Sequence, residues 1–440
     1  MTRTMTQHSS RWVVAIATVV GTVALSAAVA MAEGGLTLEE RVERLERMAE
    51  MPKAAEPYDD SGLQARLDAL EAHVKNLPFG IKLGGVIVTS YLYDFNDPDS
   101  DTVSLRSFDK DHNTFSLDLA QLEVSREKGE NGVGFMTKLN FGKTAERMAA
   151  DWDGDGTIGN VAEEQNSIEL QDAVIMYSFP GAPDFEIRAG KFVTLHGAEV
   201  IESPFNHNVS RSLAFSWAIP FTHTGLMMHY AVNDADGEPM VMIHGGVVNG
   251  WDNVIDSNDG KSFHGAVNVS PVDMFSFTVG GMYGAEQPDR GDSKRGLVDV
   301  VASITPIENF EILLNYDYGN ETDLGPLEDT TAEWHAFSGV LAYDVRDVLP
   351  MPFGFAVRGE YFDDSDSVRL PTPSTFLFGR AINAYEVTAT AKIELAEGLM
   401  FRTEYRYDWS TKDIYEKETR GSGSFQDDQH TVAAELSYVF

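Results

Sequence analysis

From residue 79 to the end, the chain runs as segments of about ten residues in which apolar and polar positions alternate, rich in Val, Ile, Phe, Tyr and Thr. Alternation of period two marks a strand with two unlike faces, because successive side chains point to opposite sides. Strands are expected near 79–93, 113–127, 132–142, 166–179, 184–194, 222–231, 240–249, 261–270, 273–283, 296–305, 309–319, 333–345, 352–362, 383–395, 398–409 and 429–440. The spacers alternate in length. Short ones such as Lys128-Gly129-Glu130-Asn131, Pro180-Gly181-Ala182-Pro183 and Ala396-Glu397 interleave with long ones near 94–112, 143–165, 195–221, 320–332, 363–382 and 410–428. About sixteen strands, with short turns at one rim and long loops at the other, predict an all-β fold: a transmembrane antiparallel β-barrel. A soluble β-sandwich gives no reason for that alternation.

The faces support a lipid-embedded wall. In Tyr385 to Leu395 the outward set reads Tyr385, Val387, Ala389, Ala391, Ile393, Leu395, and the inward set Glu386, Thr388, Thr390, Lys392, Glu394. In Phe401 to Trp409, charged Arg402, Glu404, Arg406 and Asp408 alternate with Phe401, Thr403, Tyr405, Tyr407 and Trp409. A charge facing the bilayer midplane costs up to about 2–4 kcal/mol, so the charged set is expected to face a wet lumen, and a barrel this wide implies a channel. Aromatics gather at both strand ends: Tyr91, Tyr93, Tyr283, Tyr316, Tyr318, Tyr361, Tyr405, Tyr407 and Trp409 at the loop rim, and Phe79, Phe179, Phe185, Tyr230, Phe310, Tyr343, Phe353, Phe401, Tyr438 and Phe440 at the turn rim. Two such rows are expected at the two lipid–water interfaces. The last segment places Val432, Ala434, Leu436, Tyr438 and Phe440 outward, and it must pair with the first strand to leave no open edge in lipid.

Ahead of the barrel, the pattern is different. Arg3 and Arg11, the apolar stretch Trp12 to Val29 and the small-residue motif Ala30-Met31-Ala32 read as a secretory signal peptide over 1–32, cut near Ala32; a retained anchor is the alternative. Residues 33–78 carry apolar positions alternately four and three apart, Leu38, Val42, Leu45 and then Leu63, Leu67, Leu70, Val74, Leu77, which predicts a short periplasmic α-helical, coiled-coil segment. Its seam would join copies of itself, as in a homotrimer, or pack on the barrel's rim. The barrel is then 79–440.

Beyond the first segment no apolar run reaches the length of a transmembrane helix, so strands must carry any membrane role. The chain has no cysteine, which excludes disulfide frameworks, thiolate metal sites and cysteine nucleophiles. With 33 Lys and Arg against 69 Asp and Glu, net charge −36, nucleic acid is excluded as a partner and passing cations are favoured over anions.

The longest segment between strands, 195–221, mixes apolar residues with Glu199, Glu202, His207 and Arg211. Such a loop is expected to fold into the barrel and constrict it, its acids opposed to wall bases Arg188, Arg358, Arg402 and Arg406, where fixed charges govern which ions pass. A lid over the top is the alternative. Asp151, Asp153, Asp155 and Thr157, with Gly156 at the turn, fit the first half of a calcium loop; the second half fits poorly, since Ala162 holds position twelve and Glu163 is one place late. A solvated acidic turn is the other reading, and no other cofactor is expected. His196, His207, His223, His229, His244 and His264 are scattered without close metal-ligand spacing. A barrel hydrolase would need a Ser–His arrangement that no motif singles out, so an enzyme is not expected.

The stretches Ala189-Gly190-Lys191-Phe192, Asn206-His207-Asn208-Val209-Ser210-Arg211-Ser212, Ile219-Pro220-Phe221-Thr222-His223-Thr224-Gly225 and Gly246-Val247-Val248-Asn249-Gly250-Trp251-Asp252-Asn253 resemble the OmpL-like family of outer-membrane β-barrel porins, over roughly residues 79 to 440. The resemblance implies a porin-type barrel in the outer membrane passing small hydrophilic solutes or ions, with membrane lipid and lipopolysaccharide around it. It brings no defined functional residues. The N-terminal helices also resemble those of phosphate-selective porins, but no basic ladder supports phosphate selectivity here. The aromatic C-terminus resembles the signal read by the barrel-assembly machinery. The alternatives are a barrel that anchors the envelope or houses a partner such as a redox protein, with little open pore.

Overall fold

The computed structural model describes residues 80–129, 132–148, 168–234, 238–323, 330–345, 352–371, 381–418 and 424–440. The expected signal peptide, the helical segment and the calcium loop 151–163 lie outside the described residues. Sixteen strands form the wall: β1 Ile81–Asp94, β2 Thr114–Arg126, β3 Val133–Phe141, β4 Ile168–Phe179, β5 Ala182–Val193, β6 Thr222–Asn233, β7 Pro239–Val248, β8 Ser262–Val272, β9 Phe275–Gly284, β10 Arg295–Ile307, β11 Phe310–Thr322, β12 Thr331–Val345, β13 Phe353–Asp364, β14 Ile382–Ala396, β15 Leu399–Ser410 and β16 Asp428–Val439. They follow one another in chain order into a closed barrel. The last strand seals it as the alternation requires, with Val86 opposite Val439 and Asp94 opposite Thr431.

The turns set the register. Glu308–Asn309 and Glu397–Gly398 each turn the chain in two residues, and the second residue of each takes a positive φ, 63° and 73°. The ladder slips beside both, between Ile304 and Ile307 and between Glu394 and Ala396, as a hairpin with a bulge does. Glycine is needed at 398 for a second reason: a Cβ there would lie 2.3 Å from the Val439 carbonyl oxygen.

Face parity holds around the wall. Ile175, Phe263, Leu341, Phe355, Val387 and Tyr405 are exposed on the outside, where lipid takes the place of a core. At the loop rim, rings of Tyr361, Tyr385, Trp409, Tyr407 and His430 run along β13–β16 with successive centroids 5.2, 5.3, 5.2 and 4.4 Å apart. At the turn rim, Tyr177 meets Phe179 edge-on at 4.9 Å and Phe179 stacks with Phe185 at 6.0 Å.

Candidate functional site

The segment between β5 and β6, residues 194–221, enters the barrel and binds its inner wall. Its sequence explains its shape. Pro204 starts a 3₁₀ turn at Ser203–Phe205, and a π-helical turn at Ala214–Ala218 is opened by Ser212, whose hydroxyl accepts from the Phe215 N–H at 2.9 Å. Elsewhere the backbone has no regular partner of its own, so each N–H and C=O buried in the lumen must be satisfied by side chains of the wall or of the segment itself.

Wall arginines take the carbonyls. Arg358 on β13 donates to Ser210 O at 2.7 Å, Arg402 on β15 donates to Asn206 O and Asn208 O at 2.9 and 3.1 Å, and Arg406 donates to Arg211 O at 2.8 Å. Wall acids take the amides. Glu404 accepts from the N–H groups of Val209 and Ser210 at 2.7 and 3.0 Å, and Glu360 from those of Leu213 and Ala214 at 2.8 and 3.2 Å, at the positive end of the π-helical turn. Behind this row the charges neutralise one another: Arg358 with Glu386 at 2.7 Å, Arg402 with Glu435 at 2.5 Å, Arg406 with Asp408 at 2.7 Å. The three guanidinium groups are 0–1 % exposed. The expectation that these charges face a wet lumen is therefore corrected: they face inward, but the segment's backbone displaces the water and replaces its hydrogen bonds.

Further contacts carry the segment across the lumen. Gly197 N–H donates to Asp299 on β10 at 2.9 Å and Ala198 N–H to Asn315 on β11 at 3.2 Å. His207 pairs with Glu311 on β11 at 2.9 Å. Glu202 reaches β2–β4, where it meets Lys138 at 2.9 Å and accepts from Gln121 and Gln171, each at 2.9 Å. Burial pushes the Glu202 carboxyl up, but Lys138 and the two amides outweigh it and hold the group below its ordinary range.

The charged residues expected from sequence meet only partly as expected. Glu199 does oppose Arg358, at 2.7 Å. Glu202 finds Lys138 instead of an arginine. Arg402 and Arg406 bind loop carbonyls, not loop acids. Arg188 pairs with Glu186 on its own strand at 2.5 Å, away from the segment's acids, because its row of β5 lies nearer the turn rim. Arg211 turns back onto its own segment, donating to Val209 O at 2.8 Å and to Ile201 O, and lies 5.0 Å over the Phe108 ring. Lys138 had a visible signal: the alternation of the third strand points it inward. Glu360 and Glu404 had that signal too, but their partners are backbone amides, which no side-chain pattern reveals.

On the loop side of this layer, an apolar cluster gathers Leu105, Phe108, Phe215, Phe221, Trp251 and Trp334, drawn from several loops and the wall. It is latched by Arg369, whose guanidinium lies 5.0 and 5.1 Å from the Trp251 and Trp334 rings and donates to Trp217 O at 2.7 Å. Trp334 donates to Ala218 O at 3.2 Å and Trp217 to Leu105 O at 3.1 Å. So the segment both enters the barrel and forms part of a cover. On the turn side lies a chamber of about 450 Å³ lined by Pro204, Asp344, Phe353, Lys392, Glu394 and Met400.

Residues 80–440 match the family described as "Putative beta-barrel porin-2, OmpL-like". The chain belongs to this family. It is thus an outer-membrane β-barrel of the porin class. Among solved structures, it is similar to an anion-selective porin from Comamonas acidovorans (11 % identity, 82 % of this chain and 99 % of that one, TM-score 0.52). It is also similar to OmpF of Salmonella typhi in complex with daunomycin (13 %, 82 % and 97 %, TM-score 0.52) and to a trimer form of OmpT of Vibrio cholerae (12 %, 82 % and 99 %, TM-score 0.50). At these identities the likeness is one of fold. No curated protein matches the sequence. In a porin barrel the short turns are periplasmic and the long loops extracellular, which makes the 450 Å³ chamber a periplasmic vestibule.

Proposed function

We propose that this porin passes small hydrophilic solutes or ions by diffusion and that residues 194–221 set its narrowest point. The observation that carries this reading is the path of that segment, bound at once to β2–β4, to β10–β11 and to β13–β16. Glu199, Glu202, His207 and Arg211 then act with Arg358, Arg402 and Arg406 to fix the segment's position; solutes meet the charges left free of it, on the periplasmic side. There Asp344 and Glu394 outnumber Lys392, which pairs with Asp344 at 2.8 Å, and with the chain's acidity this favours cations. Reversal potentials across a salt gradient test the sign, and anion preference refutes it.

A second reading is favoured by the apolar cluster on the extracellular side: a barrel held closed until its loops move, or one that anchors the envelope or houses a partner. Planar-bilayer recording of the purified barrel separates the two, since a steady unit conductance belongs to the first and silence to the second. Three further proposals have tests of their own. Signal cleavage near Ala32 is read from the mature N-terminus. Cross-linking tests a homotrimer, a state that the name of the Vibrio cholerae structure gives for that protein. Calorimetry tests calcium at Asp151, Asp153, Asp155, Thr157 and Glu163.

A further inference from the structure

The inner face of β6 and β7 carries a histidine pair that the contacts described above leave aside. His229 on β6 and His244 on β7 stand directly opposite each other in the register. Both point into the lumen, since their neighbours Met228, Tyr230 and Ile243 are the exposed, lipid-facing ones. Their Nδ1 atoms are 2.5 Å apart and their rings cross at 77°. His229 Nε2 is buried without a hydrogen-bond partner. Two residues before each histidine, on the same face of its strand, come Met227 and Met242. Further up the wall His264 follows, with its ring centroid 4.5 Å from that of His223 and 6.1 Å from that of His196. His223 is occupied by Gly250 O and Thr194 Oγ1 at 3.0 and 3.1 Å, whereas neither nitrogen of His196 or His264 has a partner.

We propose that His229 and His244, flanked by the thioethers of Met227 and Met242, form a copper-binding site on the lumen wall. Imidazole nitrogen with thioether sulfur is a donor set that selects copper over the harder divalent ions. A tetragonal centre asks for a small rearrangement: two nitrogens about 2.0–2.1 Å from one ion at a right angle are about 2.9 Å apart, so the Nδ1 atoms must part by a few tenths of an ångström and both rings must turn until their lone pairs meet on one ion. The hydrogen between the two Nδ1 atoms moves to an Nε2 atom when the ion enters, leaving two neutral rings with both Nδ1 lone pairs on the metal, and no proton is released. Access is from the periplasmic side, where His244 is half-buried and the same wall shows the polar, half-buried Asn268 and Thr278. The charges facing the pair are those of β5 and its neighbouring turn: Glu186, opposite His229, with Lys128 and Arg188 each at 2.5 Å from it. Their net charge of one positive opposes a cation and sets the affinity below that of an uncharged site.

The test uses the whole chain, refolded in detergent, with one equivalent of copper(II) sulfate, followed by electron paramagnetic resonance that reads the remote nitrogens of bound imidazole. The wild type is expected to retain copper through desalting with a two-imidazole signature. H229N/H244N should lose affinity at least about tenfold, since even outer partners of metal sites are worth roughly 10–100-fold. H264N should leave the signal unchanged, R188Q should tighten binding, and M242L should weaken retention of copper(I) after ascorbate more than that of copper(II). If the double variant loses its heat-modifiable barrel mobility, H244N alone carries the comparison. A folded H229N/H244N or H244N barrel with the wild-type spectrum and affinity overturns the proposal, as does a wild type that releases its copper on desalting.

Discussion

At the scale of single residues, the entering segment rests on wall charges that are buried and paired, Arg358 foremost. Arg358 has three carboxylates within 4 Å, Glu199, Glu360 and Glu386, and one loop carbonyl. Removing one partner from such a set leaves uncompensated charge and costs about 3–5 kcal/mol. R358A is therefore expected to lower the denaturant midpoint of the folded barrel and to release residues 199–212, with faster protease cutting there; a midpoint and a cutting rate equal to the wild type's would refute this role. His196 gives the segment a pH dependence. Burial, and after it the neighbouring His223, holds His196 down at about 3, while a released ring titrates near its ordinary value of about 6.5. Below pH ~6.5 the released segment binds a proton that the docked one does not. Docking is thus at full strength above that pH and weakens as pH falls through the window down to about 3, by about 2 kcal/mol at pH 5. Glu202 leaves this comparison unchanged: its depressed carboxyl contributes fully above its unfolded value of about 4.3 and loses that contribution only in stronger acid. Hydrogen-exchange protection of residues 194–221 should be lower at pH 5 than at pH 7, and H196Q should flatten the difference. Little of this was legible in the sequence. Glu199 and Arg358 could be matched by sign, but carbonyls captured by Arg402 and Arg406 leave no trace in side-chain types. The His229–His244 pairing was out of reach too: the expected strands 222–231 and 240–249, paired end to end, put His229 opposite Met242, whereas the observed register sets it opposite His244.

At the scale of elements, the strands were the legible part. Lipid outside and a polar interior impose period two on every wall segment, and each expected strand lies within three residues of the observed one. The loops obey no such period, because their partners are distant in sequence and chosen by the wall's shape. Gly319 on β11 shows how the wall makes room. A Cβ there would lie 2.0 Å from ring carbons of Trp334, the side chain that holds Ala218 O. G319A is expected to cost about 1–3 kcal/mol by overpacking and to red-shift tryptophan emission as Trp334 is displaced. G359A is the control, since its added carbon meets nothing nearer than 3.9 Å. Equal emission from both variants would remove Trp334 as a latch.

At the scale of the whole molecule, three layers follow one another along the barrel axis: an apolar cover on the extracellular side, a hydrogen-bonded segment across the lumen, and a periplasmic vestibule. The family places this barrel among outer-membrane porins, and the proposed function assigns the resistance to flow to one of these layers. On the proposed reading most of it resides in the segment 194–221, whose wall contacts make it a fixed partition instead of a free strand in solvent. The most direct measurement is single-channel conductance in a planar bilayer of a barrel lacking residues 199–211, compared with the whole chain under the same salt. The deletion is predicted to raise the unit conductance, or to produce it where the whole chain is silent. An unchanged conductance in a correctly folded deletion variant would contradict the account.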